Sequence, residues 1–337
     1  MIKLNITNAR VFWIEFIRNS NLVLAVILML SAIGCTTDDT NSSEDILGEF
    51  NTKSIQHEGV ERTYRVYLPK NFDKNNPTPM VIALHGGGGS GKRFEKDVSA
   101  GTLTTAAESR GVLLVTPEGI DKRWNDGRPV IFNGDTMYDD VGFISAIIDN
   151  MTQNYGVDSK SVYVTGISNG GFMSVRLGLE LSNKITAIAP VTAQITEAIA
   201  STVPEFPISV MIINGVDDPF VPYTGGPITI FNSNSNRGNT LSTEESIQRF
   251  NTYNQCTNPV ENEPIIDDVP NDGTSIEISK YTGCNQGTEV VLIKVVGGGH
   301  TWPNGAQYLP MGIVGRVSRE INASEMILDF FLRHSKN

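Results

Sequence analysis

Six continuous apolar runs of strand length set the rhythm of the chain. They are MVIALHG from Met80, GVLLVTPEG from Gly111, SVYVTG from Ser161, ITAIAPVTA from Ile185, VMIING from Val210 and VVLIKVVGGGH from Val290. A strand that is apolar at successive positions buries both faces, as in a parallel sheet covered by helices. Between the runs the period changes. YDDVGFISAIIDNMTQNY puts Val141, Ile144, Ile147, Ile148 and Met151 on one helical face. Ser242 followed by Glu245, and Asn322 followed by Glu325, carry the spacing of helix N-terminal caps. Residues 52–69, TKSIQHEGVERTYRVYLP, alternate in polarity and read as an antiparallel hairpin. The pattern predicts an α/β fold with a mostly parallel central sheet, an antiparallel N-terminal hairpin and helices on both faces. Two segments break the rhythm: residues 223–240, rich in Asn, Ser and Gly, and residues 256–284, between two cysteines.

The first residues follow a different logic. Basic residues precede LVLAVILMLSAIG, residues 22–34, an apolar core too short to span a bilayer. Cys35 follows Ala32-Ile33-Gly34, which resembles a lipoprotein signal sequence with alanine in place of the usual leucine. The reading is a signal peptide over 1–34, lipidation at Cys35, a disordered acidic tether over 35–52, and a single catalytic domain over 53–337. The protein is then exported, and reaches the outer membrane or cell surface by its lipid anchor or is otherwise secreted. The whole chain has 337 residues and a formal charge of −11. The leader carries three basic residues and one acidic one, so the remainder stands at −13. So acidic a body is a poor match for nucleic acid, and no nucleic-acid partner is expected. In an exported chain, Cys256 and Cys284 invite a disulfide.

The glycine loop VIALHGGGGSGKRFE, residues 81–95, fits three motifs at once. A phosphate loop would need Ser or Thr after Lys92 to hold magnesium, and Arg93 stands there. Gly86, Gly88 and Gly91 fit a dinucleotide fingerprint, which alone is weak. His85-Gly86-Gly87 fits the start of an oxyanion hole. The choice comes from elsewhere in the chain. A buried strand runs straight into Gly166-x-Ser168-x-Gly170, and a helix-like GGFMSVRLGLEL follows. A serine hydroxyl needs a sharp strand-to-helix turn to project it and a base to activate it. Among four histidines, His300 closes an apolar strand, where open α/β sheets place their chemistry, whereas His57 and His334 lie far from such a position. Asp217 and Asp218 both follow the strand VMIING, and spacing alone does not separate them as the carboxylate partner. The order Ser, Asp, His is that of α/β-hydrolases.

Taken together, LHGGGGS, YDDVGFISAII, VDSKSVYVTGISNGGFMS, NGVDDPFVPY and GGGHTWP resemble the secreted polyhydroxybutyrate depolymerase and feruloyl esterase family, from about residue 60 to the C-terminus. The resemblance implies the α/β-hydrolase fold and a serine esterase without cofactor or metal. It places the acid at Asp218, with Asn214 standing where the family usually has histidine. It implies Ser168 as nucleophile, His300 as base, and an oxyanion hole from the N–H groups of Gly87 and Asn169. Paired cysteines between acid and histidine also occur in the family, in line with Cys256 pairing with Cys284. RWND and GGGHTWP suggest substrate contacts by Trp124 and Trp302. Lys92 is left as a solvated charge. With no added surface-binding domain visible, the resemblance favours feruloyl or acetyl esters on polysaccharides, with polyhydroxyalkanoate oligomers as the alternative.

Overall fold

In a computed structural model whose described residues are 45–128, 136–230 and 237–336, the six apolar runs lie side by side as parallel strands. The strands of the main sheet in chain order are β1 (Phe50–His57), β2 (Val60–Tyr67), β3 (Thr78–Leu84), β4 (Leu113–Pro117), β5 (Val157–Ile167), β6 (Ala187–Val191), β7 (Ser209–Gly215), β8 (Glu261–Asn262), β9 (Ser275–Tyr281) and β10 (Val290–Val296); Gly226–Pro227 and Asn239–Thr240 pair separately as a small antiparallel ribbon. They form one sheet in the order β1-β2-β4-β3-β5-β6-β7-β10-β9-β8. The block from β4 to β10 is parallel. The hairpin β1–β2 adds to one side antiparallel, as its alternating polarity predicts.

Helices α1 (Thr102–Arg110), α2 (Asp140–Tyr155), α3 (Asn169–Glu180), α4 (Thr243–Asn254) and α5 (Ala323–Leu332) cover the sheet. Side chains alternate along each strand, so the sheet divides the interior into two cores. Met80, Ile82 and Leu84 pack with Ile144 and Ile147 of α2, Val175 and Leu179 of α3 and Phe250 of α4. Val81 and Ala83 pack with Ala106 of α1 and Ile327 and Phe331 of α5 on the other face. This is the fold the strand pattern and the family resemblance imply. In α2, Phe143 is buried and Val141 only partly so, a small rotation of the expected face.

Two elements depart from the sequence reading. Helix α1 has only Leu103, Ala106 and Ala107 to bury, so its amphipathic signal is faint. Strand β9 lies inside the inter-cysteine segment. It alternates buried Ile276 and Ile278 with more exposed residues and has no continuous apolar run. The disulfide Cys256–Cys284 ties the end of α4 to the turn between β9 and β10.

The ordered body also begins earlier than residue 53. Asp45 pairs with Lys53 at 2.6 Å and accepts from the Tyr155 hydroxyl at 2.8 Å, and Gly48 N donates to Leu68 O. These contacts fix residues expected to belong to the tether. Cys35 and the leader 1–34 lie outside the described residues. Among the described residues no helix is long and apolar enough to cross a membrane.

Candidate active site

The chemistry-bearing residues gather at the C-terminal ends of β3, β5, β7 and β10. Strand β5 runs into Ser168, which sits at φ 57° and ψ −121° immediately before α3. That backbone is rare for a residue with a side chain and stores strain. The turn holds because Ser168 N donates to Val191 O at 3.0 Å and to Thr192 Oγ1 at 3.1 Å. It also requires glycine on both sides. A β-carbon on Gly166 would lie 2.6 Å from the backbone of Gly170, and one on Gly170 would lie 2.2 Å from Leu84 O. The G-x-S-x-G spacing therefore records how closely α3 passes over β3.

Of the two aspartates left open by spacing, Asp217 is exposed and Asp218 is buried against His300. His300 Nδ1 donates to Asp218 Oδ2 at 2.7 Å. The other carboxylate oxygen accepts from Phe220 N at 2.8 Å and Val221 N at 2.9 Å. Both oxygens are thus engaged, and the imidazole is fixed with Nε2 available to the cleft. The Phe220 ring packs beside His300 at 5.1 Å. The Tyr308 hydroxyl donates to His300 O at 2.7 Å, and burial together with the Asp218 charge pushes its pKa far up, so it stays a donor. Asn214 donates to Gln194 and Thr243 and accepts from Ala193 N. It is a buried hub whose amide oxygen and nitrogen are both hydrogen-bonded.

The glycine loop leaves β3 at His85. Gly119 N donates to His85 Nε2 at 3.0 Å, so the ring proton is on Nδ1, which donates to Gly86 O at 2.8 Å. Burial pushes the His85 pKa down to about 4, the Gly86 contact opposing it only in part. Glu118 at 3.9 Å therefore faces a neutral ring and forms no ion pair with it. Gly88 N donates to Lys122 O and Gly89 N to Gly86 O. The Gly87 N–H has no acceptor among the described residues. Gly87 is exposed in the cleft, with Asn169 beside it, at the free first turn of α3. Lys92 is exposed, as expected.

Trp124 and Trp302 do not reach the cleft. Both are fully buried. Trp124 Nε1 donates to His85 O, and its ring lies 5.0 Å from His85. Trp302 Nε1 donates to Ser324 Oγ and its ring meets Phe94 edge-on. The expected substrate contacts are corrected to core positions, because each indole finds its polar partner inside the protein.

Trp124 instead belongs to a network that sequence reasoning missed. The Asn169 side chain accepts from Trp124 N at 2.7 Å and donates to Trp124 O at 3.0 Å and to Asp126 at 2.7 Å. Asp126 pairs with buried Arg128, whose guanidinium lies over the Phe172 ring and donates to Arg237 O. The acidic end of this segment is held as well. Asn125 N donates to Asp140, which pairs with Arg62 at 2.6 Å; burial still raises the Asp140 pKa. In the sequence, RWND suggested only a substrate contact by Trp124.

One cleft of about 1130 Å³ takes in Gly87, Ser168, Asn169 and His300 together. Phe172, Phe220, Val221, Ile228 and Leu309 form an apolar wall. The segment 223–240 contributes through Ile228, Ile230 and Arg237; residues 231–236 lie outside the described residues. A triplet of ligand-type side chains elsewhere, His57, Glu58 and Asp139, is drawn together by a 3.1 Å His57–Asp139 contact at the cap of α2.

A family model described as "Putative esterase" matches residues 55–199. "Putative esterase NocK" of Nocardia uniformis subsp. tsuyamanensis is 32% identical over 280 residues, which cover 81% of this chain and 80% of that protein. Feruloyl esterase D of Neurospora crassa is 26% identical over 295 residues, covering 84% and 90%. Feruloyl esterase B of Piromyces equi is 28% identical over 256 residues, and the chain spans 42% of its length. The solved acetyl xylan esterase from Aspergillus awamori superposes with a TM-score of 0.52 at 16% identity, over 83% of this chain and 98% of that one, and shares its fold.

Proposed function

The chain belongs to the esterase family and is a carboxylic ester hydrolase, and from that premise we propose that it is an exported serine esterase that removes feruloyl or acetyl groups from polysaccharide. The observation that carries the reading is the sharing of one cleft by Ser168, on its strained turn, and His300, locked to Asp218.

In this mechanism Ser168 Oγ attacks the ester carbonyl and its proton passes to His300 Nε2. Asp218 holds the tautomer and stabilises the imidazolium. The tetrahedral oxyanion takes hydrogen bonds from Gly87 N–H and Asn169 N–H, each such donor lowering the barrier by ~3 kcal/mol. Collapse breaks the ester C–O bond, and the leaving alkoxide takes the proton from His300. Water then attacks the acyl-enzyme, giving a proton to His300 that returns to Ser168 as the acid leaves. The chemistry calls on no cofactor or metal. The apolar wall of Phe172, Phe220 and Ile228 suits an aromatic or short acyl group. Relatives named as feruloyl esterases support the substrate class. The leader and Cys35 support export with lipid attachment, the only membrane contact proposed.

Purified protein should hydrolyse 4-nitrophenyl acetate, and Ser168→Ala should lose at least about 10³-fold in kcat/KM. A fluorophosphonate should label Ser168; retained activity in the alanine variant, or labelling elsewhere, overturns the mechanism. Methyl ferulate and acetylated xylan should be better substrates than hydroxybutyrate oligomers, and the reverse ranking would transfer the protein to polyester breakdown.

A further inference from the structure

The two oxyanion donors come from separate segments. Gly87 lies on the loop after β3, and Asn169 begins α3. They stand close together: a β-carbon on Gly87 would lie 3.7 Å from that of Asn169. Two N–H groups serve one oxygen only while their separation and direction are fixed. Residues 119–128, an irregular stretch between β4 and α2, bond to both segments.

The glycine-loop side is gripped at three points. Gly119 N donates to His85 Nε2 at 3.0 Å, Trp124 Nε1 donates to His85 O at 2.9 Å, and Lys122 O accepts from Gly88 N at 2.7 Å. The third grip comes from a turn with two consecutive non-glycine residues in the left-handed region, Asp121 at φ 51° and Lys122 at φ 59°. Such strain persists where the surrounding structure over-determines it.

The α3 side is gripped through one amide. Asn169 Oδ1 accepts from Trp124 N, and Nδ2 donates to both Trp124 O and Asp126 Oδ2. Both amide hydrogens are used, so the side chain is held in one orientation. Asp126 is fully buried, and its carboxylate also accepts from Arg128 Nε and Nη2. A buried ion pair is a weak source of stability, because desolvation offsets its attraction. What it supplies here is direction: Arg128 pins the carboxylate with one oxygen aimed at Asn169 Nδ2. Trp124 meets both sides, the glycine loop by its indole and Asn169 by its backbone.

We infer that residues 119–128 form a brace that sets the spacing of the two oxyanion donors, with Trp124 and Asp126 as its positioning residues. Both are fully buried and neither lines the cleft, so they act through His85 and Asn169. The inference rests on the serine-esterase reading and adds to it two residues that govern the rate from outside the triad.

Asn169→Ala keeps the backbone N–H and removes its tether, and Asp126→Asn removes the charge that aims the tether. Each should lower kcat for 4-nitrophenyl acetate by about tenfold or more with KM within about threefold of the parent, since the contact that is lost forms in the transition state. A trifluoromethyl ketone, whose adduct with Ser168 puts an oxyanion between the donors, should lose affinity in the same proportion. The limb of the pH profile set by His300 should not move. The double variant should fall no more than about twofold below Asn169→Ala, because Asp126 acts through that amide. Trp124→Phe keeps an aromatic ring in the core and removes the bond to His85 O. It should lower kcat by roughly fivefold with KM unmoved, and it keeps the test decisive where Asp126→Asn does not fold. Melting temperatures identify the folded variants. Full kcat in those variants, losses confined to KM, or independent losses that multiply in the double variant overturn the inference. A parent enzyme that turns over no ester would instead remove the esterase reading itself.

Discussion

His85 shows how one side chain couples the glycine loop to pH. Its Nε2 accepts from Gly119 N while Nδ1–H donates to Gly86 O, an arrangement that only the neutral ring satisfies. Burial holds its pKa at about 4, below the ordinary 6.5. The unfolded chain therefore binds this proton more readily than the folded one. Stability from this group is fully present above pH 6.5 and drains away as pH falls towards 4, by up to about 3 kcal/mol. Urea unfolding at pH 8, 6 and 4.5 should show that decline. His85→Gln should be less stable at pH 8 and should fall less steeply with acid; an equally steep fall would assign the slope to other groups. The two tryptophans teach a related lesson. RWND and HTWP read as cleft-facing, but an indole takes its place from whichever hydrogen-bond acceptor the packed protein offers, here His85 O and Ser324 Oγ. No local pattern announces those acceptors.

At the scale of the element, the β5–Ser168–α3 turn was legible because its requirements are local. Glycines two before and two after the serine are the only residues that fit against Leu84 O and the facing backbone. The strain at Ser168 has a measurable consequence. Its positive φ is costly for any residue with a β-carbon and open to glycine. Ser168→Gly should thus be more stable than Ser168→Ala by about 1 kcal/mol, although both lack the nucleophile. Denaturant midpoints for the two variants check this, and equal midpoints would mean the turn is relaxed. Helix α1 and strand β9 were less legible. One buries small residues and the other alternates at the edge of the sheet, so neither leaves a strong periodic trace.

At the scale of the molecule, the Cys256–Cys284 bridge closes a loop of 28 residues across β8 and β9. Chain-entropy arguments give such a loop ~3.5 kcal/mol of stabilisation. The double substitution Cys256→Ser with Cys284→Ser should lower the melting temperature by about 6 °C. Neither cysteine lines the cleft, so activity at a temperature where both forms are folded should be unchanged. Calorimetry and a 4-nitrophenyl acetate assay read the two expectations separately. An unchanged melting temperature would show that the β9–β10 edge is held by its ladder alone.

The sequence by itself determined the parallel sheet, the antiparallel hairpin and the elbow at Ser168. Each follows from side-chain periodicity or from steric limits within a few residues. It also narrowed the partner aspartate to Asp217 or Asp218, and the family pattern favoured the second. Only the tertiary structure showed Asp218 bonded to His300 and Asp217 exposed, since strand β7 and strand β10 meet through the fold and not through the chain. The same holds for the cleft, whose lining residues come from segments far apart in the sequence and meet only because folding brings them to one surface.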